Sequence, residues 1–262
     1  MKTRFTLALA LAALIAVPRA ARAQEMPRLG ELSAVSVWQV DPADMGTFMT
    51  VAAKVAQAAK RAKLGQGYAW TMWQTSYSIS IIGPFNKAEL DDPQIWMKQF
   101  MGTPGEAPLM QAMQEFEGVD ILGGVTEIVQ EMPDWGYMPE GMTVPPMAWV
   151  HIHEFWLKSG QANFAKWNTL IPEFVAFFKD IGYPYPMWSH MVRYGDSRTL
   201  FVTAYDDMGE FFGAKSVTVL AEKHGAMDRW QQLLGRINEL VMRHRESDAQ
   251  YLAAQSYMGP AQ

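Results

Sequence analysis

A seven-residue phrase occurs twice in this chain. Gly67-Tyr68-Ala69-Trp70-Thr71-Met72-Trp73 and Gly182-Tyr183-Pro184-Tyr185-Pro186-Met187-Trp188 both read Gly-Tyr-x-aromatic-x-Met-Trp, at an offset of 115. The shared residues include the infrequent Trp, Met and Tyr, so the echo points to two units of similar structure. A fold for this sequence therefore has to place one local pattern twice.

The flanking segments keep the same order. Apolar alternation predicts strands over 35–40 and 150–157. Helical segments follow over 41–64 and 159–180, with Phe48 and Phe164 in register at an offset of 116. Each helix approaches a glycine, Gly65 or Gly182, suited to a C-cap. Strand pairs are expected over 69–75 and 77–83, then over 186–194 and 199–205, with Gly195-Asp196 as a hairpin loop. Short helical regions near 91–100 and 208–221 lead to longer helices over 106–123 and 226–244. Closing strands are expected over 125–131 and 248–256, and the tails Tyr137-Met138-Pro139 and Tyr257-Met258-Gly259-Pro260 rhyme. The order in each half is β-α-β-β-α-β with a helical insert, the split ferredoxin-like pattern. The halves span 34–132 and 148–258, and the Pro/Gly-rich stretch 133–147 reads as a surface linker.

Local signals support the helices. Asp41-Pro42-Ala43-Asp44 offers an N-cap acid, Pro at N1 and an acid at N3. Met45, Phe48, Ala52, Val55, Ala59 and Ala62 then form an apolar stripe, as do Phe164, Trp167, Ile171, Phe174 and Phe178. Pro172 predicts a kink or break in the second stripe.

The first 23 residues read as a Sec-type signal peptide. Lys2 and Arg4 precede an apolar run from Phe5 to Val17, and Ala21-Arg22-Ala23 supplies small residues for cleavage after Ala23. No later segment is apolar enough to span a bilayer, so a soluble periplasmic or secreted chain is expected. Removing the leader's basic residues takes the net charge from −5 to −9, which argues against nucleic-acid binding. With no cysteine there is no disulfide, thiolate metal site or Cys nucleophile.

Taken together, strand, acid-capped helix, glycine, paired strands, helices and closing strand resemble the dimeric α+β-barrel superfamily. In pattern the chain is similar to NIPSNAP-like and antibiotic-biosynthesis-monooxygenase-like domains over nearly all of 34–258. The resemblance rests on element order and the repeat. It implies two four-stranded sheets facing each other as a barrel with helices outside, here as an α+β pseudo-dimer built by two tandem ferredoxin-like repeats within one chain. The superfamily includes monooxygenases, haem enzymes and isomerases, so the resemblance constrains fold far more than function.

Alternation on the second-half strands supplies the candidate site. His151, His153 and Phe155 share one face of their strand; Trp188, His190, Val192 and Tyr194 share a face of the next; Phe201, Thr203 and Tyr205 share a face of the one after. If the apolar set Val150, Ile152 and Trp156 faces the helices, the histidines look into the barrel. His151, His153, Trp188, His190, Phe201, Thr203 and Tyr205 would then line a pocket for a hydrophobic or aromatic small molecule. At offsets of 116 and 115, His151, His153 and His190 align with Val35, Val37 and Thr75, so a polar site belongs to the second half alone.

Three readings of the histidines stay open. They are satisfied core residues, pocket-lining groups, or ligands of haem or a transition metal. No cofactor is predicted, since His-x-His is a short signal. A copper site from Met187, His190 and Met191 fails on alternation, which points the methionines away from the histidine. Trp70, Trp73 and Trp188 could form a stacking platform, although a repeat that preserves Met-Trp in both halves also suits core packing. Asp91-Asp92 and Asp206-Asp207 read as helix caps, and His244 as a cation at a helix C-terminus. No phosphate loop, dinucleotide fingerprint, nucleophile elbow or zinc-protease motif occurs. The expectation is an exported protein, monomer or homodimer, that binds a small molecule between two sheets. A monooxygenase-like enzyme is the alternative, and a haem or metal protein using His151, His153 and His190 the second alternative.

Overall fold

The computed structural model describes residues 28–76, 78–88, 92, 94–143 and 148–260. The expected leader, Asp91, and residues 144–147 of the linker lie outside them. The strands are β1 (Leu32–Val40), β2 (Thr71–Gln74), β3 (Ile79–Pro84), β4 (Ile121–Glu131), β5 (Trp149–Leu157), β6 (Met187–Tyr194), β7 (Thr199–Tyr205) and β8 (Val241–Tyr251). The helices are α1 (Met45–Ala62), α2 (Ile95–Lys98), α3 (Glu106–Phe116), α4 (Gln161–Asp180), α5 (Met208–Phe212), α6 (Val217–Lys223) and α7 (Met227–Leu240).

All strand pairs are antiparallel and close a barrel in the order β1-β3-β2-β8-β5-β7-β6-β4. Read by halves, this is β4-β1-β3-β2 followed by β8-β5-β7-β6, the ferredoxin-like order in each. The halves join at two seams, β2 with β8 and β4 with β6. Among the described residues, closure leaves no edge strand open to another chain.

Helices cover the outside of the barrel. The helix-facing layer of the second half is one large core of Phe155, Trp167, Phe174, Phe177, Phe178 and Phe201 with their neighbours. The corresponding layer of the first half divides into two smaller clusters, one around Phe100, Leu109 and Tyr257, the other around Phe48, Met72 and Ile79. The barrel interior is a fourth cluster drawn from strands alone, with Trp73, Val150, Ala204 and Ala249 buried and Ile152, Trp188 and Val202 against them. At one end Arg198 bridges the halves inside: it donates to Glu127 of β4 at 2.6 and 2.7 Å and to Glu154 of β5 at 2.5 Å, with all three side chains buried.

Several local expectations change in the folded chain. Asp41 and Asp44 do not cap α1 with their side chains; Asp41 accepts from Ala43 N, and Asp44 accepts from Asp120 N at the start of β4. The left-handed residue that ends α1 is Lys63 (φ 53°), while Gly65 is extended; Gly182 (φ 62°) does end α4 as expected. The helix continues through Pro172, because core packing along α4 outweighs one lost backbone bond. The last helix stops at Leu240, so 241–244 is strand rather than helix, and the closing strand runs over 241–251 rather than 248–256. Its polar residues escaped an apolar pattern search, yet β8 pairs with β5 along most of its length.

The stretch after β4 is not wholly a surface linker. Trp135 is 1% exposed, Tyr137 pairs with Met187 through backbone bonds of 2.8 Å, and its hydroxyl donates to Tyr183 O. The C-terminal tail does the same in the first half: Tyr257 pairs with Trp70, its hydroxyl donates to Leu64 O, and Ser256 Oγ accepts from Met72 N. The rhyming tails are thus crossed arms, each docking on the other half at the echoed phrase.

Candidate functional site

The faces of β5 decide where the candidate residues stand, and they run opposite to expectation. Val150 and Ile152 belong to the barrel interior, whereas Phe155 packs against Trp167 of α4 at 5.5 Å. His151 and His153 alternate with the interior set and therefore face the helices, where His151 meets Phe211 and Phe212 of α5. Phe201, Thr203 and Tyr205 share that helix-facing side and are all buried. Trp188 and His190 lie on the other face of the sheet, inside the barrel. The seven expected residues are thus split between two faces, and His151, His153 and His190 offer no common site for haem or a metal ion.

The helix-facing histidines have partners that the sequence reading did not assemble. His151 Nδ1 lies 3.0 Å from Asp248 Oδ1, which also accepts from the Tyr205 hydroxyl at 2.9 Å. Tyr205 stacks on Phe211 at 4.2 Å. His153 Nδ1 lies 3.1 Å from His244 Nε2 and 3.4 Å from Glu246 Oε1. His244 stacks flat on Phe155 at 4.4 Å. The β5–β8 register puts Asp248, Glu246 and His244 opposite His151, His153 and Phe155 in turn. The missed signal was period two in 244–248: His, Glu and Asp on alternate residues are one face of a strand.

The electrostatics follow from this packing. The hydrogen bond from His153 holds the Glu246 carboxyl down to about 2, against partial desolvation and with help from His244 and His151. Burial pushes His151 down, the charge of His153 adds to that, and Asp248 opposes both. Burial raises Tyr205, and its bond to Asp248 raises it further, so the phenol keeps its proton and donates it to the carboxylate. Burial alone pushes His190 down to about 4, so the imidazole inside the barrel is neutral at pH 7.

The first half holds something different. Between its helices and its sheet lies a cavity of about 340 Å³. Its floor is Ala34, Ser36, Ile81 and Gly83; Phe48, Ala52 and Val55 of α1 and Met113 and Phe116 of α3 form the roof; Tyr68, Trp70 and Trp96 stand at one end. The floor leaves room above it because Ala34, Ser36 and Gly83 carry little or no side chain. Gly83 cannot take a larger residue, since a Cβ there would sit 2.9 Å from Ala69 O. Trp70 is held in place by donation from its indole to Gln255 O at 2.8 Å and by an edge contact with Trp96. Among the described lining residues there is no carboxylate, imidazole or amine. The Trp70 of the echoed phrase borders the cavity, while Trp73 and Trp188 pack in the barrel.

No protein-family model matches the chain, and no curated protein matches it in sequence. Solved structures do match in shape. A "putative monooxygenase" from Lactobacillus acidophilus NCFM superposes with a TM-score of 0.52 at 9% identity, over 88% of this chain and 97% of that one. A second protein so described, from Fusobacterium nucleatum subsp. nucleatum, superposes with a TM-score of 0.52 at 10% identity, over 85% and 93%. At such identities the likeness concerns fold alone. This chain has a mixed α+β, ferredoxin-like barrel fold, and no helix among its described residues is long and apolar enough to cross a membrane.

Proposed function

We propose that this protein is a monooxygenase-like enzyme of the α+β-barrel type, built as a tandem pseudo-dimer, that takes a flat hydrophobic or aromatic molecule into its first-half cavity. The observation that carries the reading is the 340 Å³ apolar space between helices and sheet, with Ser36 and Tyr68 as sparse polar points. The matching strand order of the halves and the crossed tails support the pseudo-dimer. The fold shared with two proteins each described as a "putative monooxygenase" supports the enzymatic class. The leader read from the sequence makes the exported compartment part of the proposal.

A second reading, binding without turnover, is favoured by one observation. The described lining carries no carboxylate, imidazole or amine to move a proton. In the enzymatic reading the substrate supplies both its own acidic group, such as a phenol, and the electrons: one oxygen atom of O2 enters the ring as the second carbonyl of a quinone, the other leaves as water with the two hydrogens lost from the substrate, and the cavity orients the ring and excludes bulk water. Oxygen uptake and product mass should be followed with a panel of polycyclic phenols and their deoxygenated analogues. Oxygen consumption matched to loss of a phenol, and abolished by Ser36→Trp, is the expected result. Saturable binding with no oxygen uptake would leave the binding reading. A bound ligand at a hundred times its Kd should add about 2.7 kcal/mol of stability in either case.

A further inference from the structure

The cluster at the β5–β8 register has the donor spacing of a metal site. His153 Nδ1, His244 Nε2 and Glu246 Oε1 are 3.1, 3.4 and 3.5 Å apart. Ligands at ordinary zinc–nitrogen and zinc–oxygen distances around a tetrahedral ion stand roughly 3.3–3.5 Å from one another. Three donor atoms from two neighbouring strands thus outline one face of such a tetrahedron. His151 stands beside this trio: its Nε2 is 3.9 Å from the other Glu246 oxygen, Oε2, and one ligand atom each of His151, His153 and Glu246 lie within 4.8 Å of one another.

The surroundings are built as metal sites are built. Asp248 engages His151 through Nδ1, which leaves the Nε2 lone pair turned to the cluster. The Tyr205 hydroxyl donates to the same Asp248 oxygen, Oδ1, and so helps to fix the carboxylate. This carboxylate–histidine relay fixes the tautomer and orientation of a ligating imidazole. Phe155 fixes the His244 ring plane from beneath. The cluster is reachable from solvent, because the side chains of Glu246, His153 and His244 are 53, 32 and 35% exposed, while His151 is 7% exposed. Donors of this kind, three imidazoles and a carboxylate with no thiolate, suit zinc and the neighbouring first-row divalent ions.

We propose that His153, His244 and Glu246, with His151 as fourth ligand oriented by Asp248, form a binding site for a divalent transition-metal ion in the second half. The site lies in a different layer from the first-half cavity and stands whether or not that cavity hosts chemistry.

The test uses the purified chain, stripped with EDTA and titrated calorimetrically with zinc chloride. Co²⁺ serves as a spectroscopic probe, since tetrahedral coordination gives intense visible bands. The expected result is one Zn²⁺ per chain with submicromolar affinity, and a tetrahedral Co²⁺ spectrum that Zn²⁺ displaces. His244→Ala and Glu246→Gln should each weaken binding at least tenfold, and Asp248→Asn about tenfold or more through misorientation of His151. His190→Ala, on the other face of the sheet, should bind as the parent does. Because removal of His244 disturbs a stacked ring, Glu246→Gln, an isosteric change on a half-exposed side chain, decides the matter if His244→Ala does not fold. No saturable Zn²⁺ binding, or one-to-one binding that survives Glu246→Gln and Asp248→Asn unchanged, would overturn the proposal.

Discussion

The two helix-facing layers of this barrel sit on sheets of the same strand order, and they have been filled in opposite ways. In the second half Trp167, Phe177 and Phe178 close the layer, and the sheet beneath presents His151, His153, Phe201 and Tyr205. In the first half the sheet presents Ala34, Ser36 and Gly83, and a cavity of about 340 Å³ remains under Phe48 and Phe116. One layer is solid and polar at its margin; the other is hollow and apolar. The difference teaches that strand order supplies positions and side-chain volume decides which become a core and which a pocket. The difference between the halves also lets one stabilise the barrel while the other tolerates an unfilled space.

The comparison can be broken from its solid side first. Phe177 is fully buried and stacks on Trp230 at 5.5 Å. Phe177→Ala should cost about 3–5 kcal/mol, because transfer energy and a new cavity add together. Chemical denaturation measures it, and a loss under about 1 kcal/mol would mean that this layer is as loose as the other.

A middle-sized effect separates the barrel interior from both layers. His190 is held neutral, with its pKa pushed from 6.5 to about 4 by burial. Between those values the unfolded chain binds the proton and the folded chain does not, so this contribution to stability is present in full above pH 6.5. It is lost as pH falls through 4, in total about 3 kcal/mol at most. Thermal melts from pH 7 to 4 should therefore fall more steeply for the parent than for His190→Leu. Parallel curves would place the histidine in water.

The smallest change sharpens the hollow side. Ala52 of α1 lines the cavity and is only half-buried. Ala52→Leu adds apolar volume to free space, so stability should stay level or rise by about 1 kcal/mol. The same substitution should remove ligand binding. A loss above about 2 kcal/mol would show that the space is already occupied by packing.

Much of the architecture could be read before any coordinates. The echoed phrase, the β-α-β-β-α-β order and the strands 186–194 and 199–205 all lie close to their final positions. The site was read only in part. His151, His153, Phe201, Thr203 and Tyr205 do share a face, as alternation requires, but Trp188 and His190 do not join them. The side of the sheet was misread because Val150 and Ile152 look like a helix-facing set, whereas the barrel interior is apolar too. With both sides apolar, hydrophobicity could not tell one from the other. His244, Glu246 and Asp248 do not emerge as one face because α7 runs straight into β8: the expected helix reaches 244 and the expected strand begins only at 248, which divides the three residues among helix, gap and strand.

By itself, then, the sequence determined periodicity, element order, a twofold pattern and the residue types available for chemistry, since these follow from local spacing along the chain. The tertiary structure alone decided which face of β5 meets the helices, which strand lies beside it, and which half stays hollow. Those depend on register and volume between segments some 90 residues apart, such as His153 and His244, and no local pattern carries that information.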